Sequence, residues 1–219
     1  MPDVPSLLLE DAHDALDLDQ FLARASGVRD GVTRIVARGG AAAFHVAGGF
    51  PLVLGARGAT LIGQRGLRLA EPADLDVVVP LSEARDRLAR MVRAGGEAAR
   101  RFSIPVSRRT APWTAGVPLA AAWEPLGAVP DDAWVATARE VASRVQEALP
   151  TDPGQPLVFA AREAVWSEPA PELGEAAIAG AAFLAHAYGF LRPGGSSRRY
   201  AAGPWQRLSS IGGTLLWRV

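Results

Sequence analysis

Asp74 and Asp76 stand two residues apart and lead into Val77-Val78-Val79. Alternate residues of a strand share a face, so both carboxylates would project to the same side. Paired carboxylates can bind Mg²⁺, which in turn activates an attacking oxygen. A second set is Glu10, His13, Asp14 and Asp17, which would share one face of a continuous helix and could hold a hard divalent cation. However, Asp17 and Gln20 have the spacing of a capping box, which starts the helix near Asp17 and leaves His13 in a solvated acidic lead-in. No metal site is therefore assigned. The third set is basic. Arg198-Arg199 open a C-terminal hairpin that also carries Trp205 and Arg207, and guanidinium forks suit carboxylate and phosphate.

What is missing narrows the chemistry further. The 23 basic residues are all arginines, and Lys, Asn and Cys are absent. This excludes Schiff-base and pyridoxal chemistry, phosphate-binding lysines, thiol nucleophiles and thiolate metal sites. His45 and His186 lie in apolar surroundings with no nucleophile at informative spacing, so both read as hydrogen-bonded structural histidines.

The segment Gly63-Gln64-Arg65-Gly66 followed by Asp74-Leu75-Asp76 resembles the signature of the polymerase-beta-like nucleotidyltransferases. That resemblance implies a glycine turn holding a triphosphate, Mg²⁺ on Asp74 and Asp76, and a third carboxylate, for which Glu124 is the candidate. Gln64 stands where that family has Ser, and the likeness covers about 17 residues. The order helix, helix, hairpin after Leu157 is similar to a winged-helix nucleic-acid binder with Arg198, Arg199 and Arg207 on the wing. Its recognition helix would be Glu172–Leu191, which carries no arginine to read base edges. Ala122-Trp123-Glu124-Pro125, Arg162-Glu163-Ala164-Val165-Trp166 and the stretch from Ala181 to Leu191 resemble a family of uncharacterised proteins encoded in GC-rich bacterial genomes. That resemblance carries no activity.

These groups need a scaffold. Val32–Pro80 alternates short apolar runs with glycines, and Gly39-Gly40, Gly48-Gly49 and Gly58 read as hairpin turns of four to six short antiparallel strands, one of them Pro51–Ala56. A helix follows with Leu81, Ala84, Leu88 and Met91 on one face and Gly95-Gly96 as its stop. Phe102–Val106 and Val117–Trp123 read as strands, and Asp131 or Asp132 opens a helix reaching Leu149. Thr151–Pro156 has the composition of a linker. Two helices, Leu157–Ser167 and Glu172–Leu191, and the strands Ser197–Ala202, Trp205–Ser209 and Thr214–Val219 complete the chain.

The expected class is α+β: an antiparallel sheet with flanking helices over 1–150, then a smaller helix–helix–hairpin unit over 151–219, packed on the first. Net charge is zero, yet seven acids lie in residues 1–30 and none after Glu175, where five arginines remain. No apolar run is long enough to span a bilayer, and Met1-Pro2-Asp3 lacks a basic leader, so a cytoplasmic location is expected. The function expected is contact without turnover and without a cofactor. The partner expected is the chain itself or another protein, with nucleic acid the less favoured partner.

Overall fold

Short-range chemistry explains most of the elements. The computed structural model describes residues 5–51, 58–119 and 121–219. In chain order it contains β1 (Ser6–Leu8), α1 (His13–Val28), β2 (Val32–Gly49), β3 (Thr60–Pro80), α2 (Leu81–Ala94), β4 (Arg101–Ser103), β5 (Glu124–Pro130), α3 (Asp131–Glu147), α4 (Gln155–Trp166), α5 (Ala179–Ala187), β6 (Ser196–Ala202), β7 (Trp205–Ser210) and β8 (Gly213–Arg218). The larger sheet has the order β2-β3-β8-β7-β6-β5, and β1 pairs with β4 in a small second sheet. The class is the α+β mixture expected, with an antiparallel sheet and a C-terminal run of helices and hairpin strands. Among the described residues no helix is long and apolar enough to cross a membrane.

The chain forms two compact units, Met1–Ala47 with Gln64–Gly116 and Gly48–Gly63 with Val117–Val219. In the first, α2 buries Leu81, Ala84, Leu88 and Met91, the stripe its spacing predicts, and stops at Gly95, whose φ of 65° only glycine adopts freely. Helix α1 begins at His13, one turn earlier than the capping-box reading, because the Asp11 carboxylate accepts the His13 backbone N–H at 2.8 Å. His13 is thus inside the helix, and Asp17 sits in its body, paired with Arg65. Leu18, Phe21 and Leu22 are the buried face of α1. Phe44 meets Phe102 edge-on at 5.4 Å.

Element β2 folds back on itself. Thr33 donates its hydroxyl to the His45 carbonyl at 3.1 Å, and His45 Nδ1 lies 3.3 Å from the Arg34 carbonyl. Eleven extended residues would span roughly 35 Å, so the halves must lie side by side. Their meeting places the pivot at the expected Gly39-Gly40, and Gly39 has φ 57°. Gly48 and Gly49 remain in the strand. There a Cβ on Gly48 would collide with Leu184 and Tyr188, so close packing, not turning, requires that glycine. Most of the expected strand Pro51–Ala56 lies outside the described residues.

In the second unit β5, β6, β7 and β8 form an antiparallel run. Helix α5 packs on α3 and on β8, and Trp134 of α3 meets Trp217 of β8 edge-on at 6.3 Å. Asp131 joins α3 to the sheet. Its carboxylate accepts the Ser197 hydroxyl at 2.5 Å and the Arg192 backbone N–H at 2.8 Å. Two elements depart from the sequence reading. The strand expected at Val117–Trp123 lies later, at Glu124–Pro130, where the prolines are tolerated because β5 ends the sheet and pairs with β6 alone. The helix expected over Glu172–Leu191 is only Ala179–Ala187, preceded by a short 3₁₀ turn at Pro171–Leu173 and an irregular Gly174–Ile178 segment.

Candidate functional site

Alternation along β6, β7 and β8 sorts their side chains onto two faces. The pairings Arg199↔Leu208 and Leu208↔Leu215 place Arg199, Leu208, Leu215 and Trp217 on one face, the one packed against helices. The pairings Tyr200↔Arg207 and Arg207↔Leu216 place Arg198, Tyr200, Trp205, Arg207, Leu216 and Arg218 on the other.

On the helix-side face Arg199 is a buried clamp, 4% exposed. It donates to the Leu173 carbonyl at 3.0 Å, to the Glu175 carbonyl at 2.5 Å and to Gln206 Oε1 at 3.2 Å. Burial pulls its pKa below the usual arginine value. Its guanidinium also lies 5.9 Å from the Trp217 ring, and Trp217 Nε1 donates to the Ala176 carbonyl at 2.9 Å. Together they fix a segment in which Gly174 and Ala176 both have positive φ. Any Cβ on Gly174 would run into the Arg199 guanidinium.

On the opposite face arginines stack on aromatic rings. Arg207 lies 4.7 Å from the Tyr200 centroid and 5.3 Å from that of Trp123, and Arg218 lies 5.0 Å over Trp205. Arg207 Nε also donates to Ser209 Oγ at 2.7 Å. Such stacks hold a guanidinium flat while leaving its N–H edge outward. Arg198 and Arg218 are exposed, and neither has an ion-pair partner among the described residues. Of the four binding candidates from sequence, this face gathers Arg198, Trp205 and Arg207, while Arg199 turns to the other side. Trp123, Tyr200 and Arg218 complete the cluster. For Tyr200 and Arg218 the sequence signal was the strand register, which a single strand does not disclose, and Trp123 lies just before β5, outside the strands.

Asp74 and Asp76 are both on β3, and each carboxylate is held by an arginine of β2. Arg34 forms a two-pronged contact with Asp76, at 2.8 and 2.6 Å, and donates to the Thr114 carbonyl at 2.5 Å. Arg38 reaches Asp74 at 2.5 Å and also the Leu75 carbonyl at 3.1 Å. The Arg34 contact holds Asp76 below the ordinary carboxylate range and raises Arg34 in return. A cation approaching Asp76 would have to displace the Arg34 guanidinium, whereas Asp74 is exposed and held through one oxygen. Gly63–Gly66 is continuous strand, and Arg65 in it pairs with Asp17. Glu124 is an exposed residue of β5, in the other unit. Among the described residues no group of three or more His, Asp or Glu side chains is arranged to hold a metal ion.

The histidines differ among themselves. His45 is buried and hydrogen-bonded, as expected, and burial pulls its pKa to about 4. His186 is exposed on α5, because the apolar segment that contains it still leaves that position outside the core. Arg100, Arg101 and Arg108 are used locally, reaching the Leu9 carbonyl, Ser6 Oγ and the Pro105 carbonyl.

A family model described as a domain of unknown function (DUF8010) matches residues 3–124, and a second (DUF8185) matches residues 118–219. This agrees with the resemblance to uncharacterised proteins. No curated protein matches. Similar solved structures include the C. crescentus beta sliding clamp with PEG bound, 13% identical over 98% of this chain and 64% of that one, with a TM-score of 0.46. Another is the DNA polymerase sliding clamp of Caulobacter crescentus, 14% identical over 98% and 65%, with a TM-score of 0.47. The chain therefore spans less than two thirds of the length of these clamps.

Proposed function

Because the chain belongs to the DUF8010 family, whose description assigns no activity, we propose a function from its own geometry: an intracellular protein that works by contact, self-associates, and uses the outer face of β6–β8 to do so. One observation carries this reading. Arg207 stacked between Tyr200 and Trp123, and Arg218 stacked on Trp205, form an ordered cationic surface that no acid of the same strands neutralises. Stacked arginines and large rings are the residue types that anchor protein interfaces. The two-pronged engagement of Asp76 by Arg34 supports contact over catalysis, since it gives that carboxylate structural work.

Sedimentation of the full chain tests the reading. Association should rise with protein concentration, weaken as salt is added, and fall on Arg207→Ala. A monomer at high concentration, or association indifferent to Arg207, would overturn it.

A further inference from the structure

The chemistry of the outer β6–β8 face also selects what lands on it. A single-stranded nucleic acid would need free ring faces for its bases. Here Arg207 covers Tyr200 and Trp123, while Trp205 is buried under Arg218. What the face offers are guanidinium N–H donors, which match carboxylates and phosphates alike. Of these two chemistries, a carboxylate-bearing protein surface is the one that another copy of the chain can supply.

Such a surface exists on the chain itself. Glu10, Asp11, Asp14 and Asp17 gather at the start of α1, with Leu16 exposed beside them. Asp17 is paired with Arg65, Asp11 lies against His13, and Arg68 stands 4.0 Å from Glu10. Asp14 has no ion-pair partner among the described residues. Partial burial raises its pKa, Asp11, Asp17 and Glu10 raise it further, and Arg65 offsets them only in part. A cation brought to this point would relieve that repulsion.

We infer that the acidic start of α1 in one copy docks on the arginine–aromatic face of β6–β8 in a second copy, a head-to-tail contact between unlike surfaces. The inference rests on the contact function proposed above and adds the partner surface to it. Charge complementarity carries it: all the acids of the chain lie at or before Glu175, and Arg198, Arg207 and Arg218 lie beyond. A contact of this type leaves one acidic and one basic surface open on each pair, so association continues beyond a dimer unless it closes on itself.

Two full-length charge-reversal variants test it by sedimentation: Arg198→Glu with Arg218→Glu, and Glu10→Arg with Asp14→Arg. Each variant alone should associate at least roughly tenfold more weakly than the native chain, because like charges then meet. An equimolar mixture should recover association, since the α1 end of the first variant still fits the arginine face of the second. Misfolded variants could not recover on mixing, so recovery also verifies their folding. If the arginine reversal abolishes association and the α1 reversal does not, the docking inference falls while the contact reading stands. If neither reversal has an effect, or the native chain is monomeric, both fall.

Discussion

Arg198 and Arg199 are neighbours in sequence, yet one is exposed and the other is 4% exposed with three hydrogen-bond acceptors. The two faces of the same three strands therefore use one side chain in two ways. On the helix-side face the guanidinium substitutes for missing secondary structure. It satisfies carbonyls of Leu173 and Glu175 that no helix or ladder covers, because an unsatisfied buried carbonyl is costly. On the outer face Arg207 and Arg218 are held by rings, Arg207 spends its Nε on Ser209 Oγ, and Arg198 is exposed. Arg199 satisfies its two terminal nitrogens but not its buried Nε, so its burial is offset only in part, whereas a surface charge matters mainly to a partner.

The largest effect that can break this comparison is Arg199→Ala. It leaves the Leu173 and Glu175 carbonyls and the Trp217 ring without their common partner. The expected loss is about 3 kcal/mol, read as a fall of about 10 °C in melting temperature. A change of less than about 1 kcal/mol would show that the segment after Pro171 holds itself.

Acid should act on the first unit by a comparable amount. His45 has its pKa lowered from 6.5 to about 4, so in the folded chain it stays neutral where the unfolded chain already binds a proton. Its contribution is complete above about 6.5 and is lost as pH falls toward 4, by about 3 kcal/mol in total. Asp76, also depressed, adds a further loss as pH falls below the usual carboxylate range, because protonation releases Arg34. Denaturant titrations at several pH values measure the slope. His45→Gln should flatten it between 6.5 and 4.

Arg207→Ala comes next. It removes a cation stacked between two rings but leaves no buried group unpaired, so stability should drop by about 1 kcal/mol. Association should drop with it, whereas Arg199→Ala should reduce association only as far as it unfolds the chain.

The difference between the faces also marks how far the sequence can be read. Helix α2 was legible because one apolar stripe and one glycine stop sufficed: Leu81, Ala84, Leu88 and Met91, then Gly95. The pivot at Gly39 and the three C-terminal strands were legible for the same local reason. The end of α5 was not. Its upstream segment is rich in Ala and Leu and reads as helix, but Arg199 and Trp217, distant in sequence, hold it in another shape. The site was half legible. Arg198, Trp205 and Arg207 could be picked by residue type, but Ser196–Ala202 carries small or polar residues in both registers. Only pairing with Leu208, and through it Leu215, decides that Arg199 and not Arg198 turns inward.

Arg198→Ala is the smallest expected effect and the sharpest contrast. Arg198 is exposed, pairs across to Ser209, and has no ion-pair partner among the described residues. Its removal should therefore leave stability within about 0.5 kcal/mol of the native chain. If the outer face is a contact surface, the same substitution should still weaken self-association, and the weakening should shrink as salt rises, because a rim charge acts through a field that ions screen. Paired melting and sedimentation measurements separate the two quantities. A stability loss equal to that of Arg199→Ala would show that both arginines serve the fold. An association unchanged at low salt would show that the exposed arginine serves no contact, and the proposed division of labour between the faces would fail there.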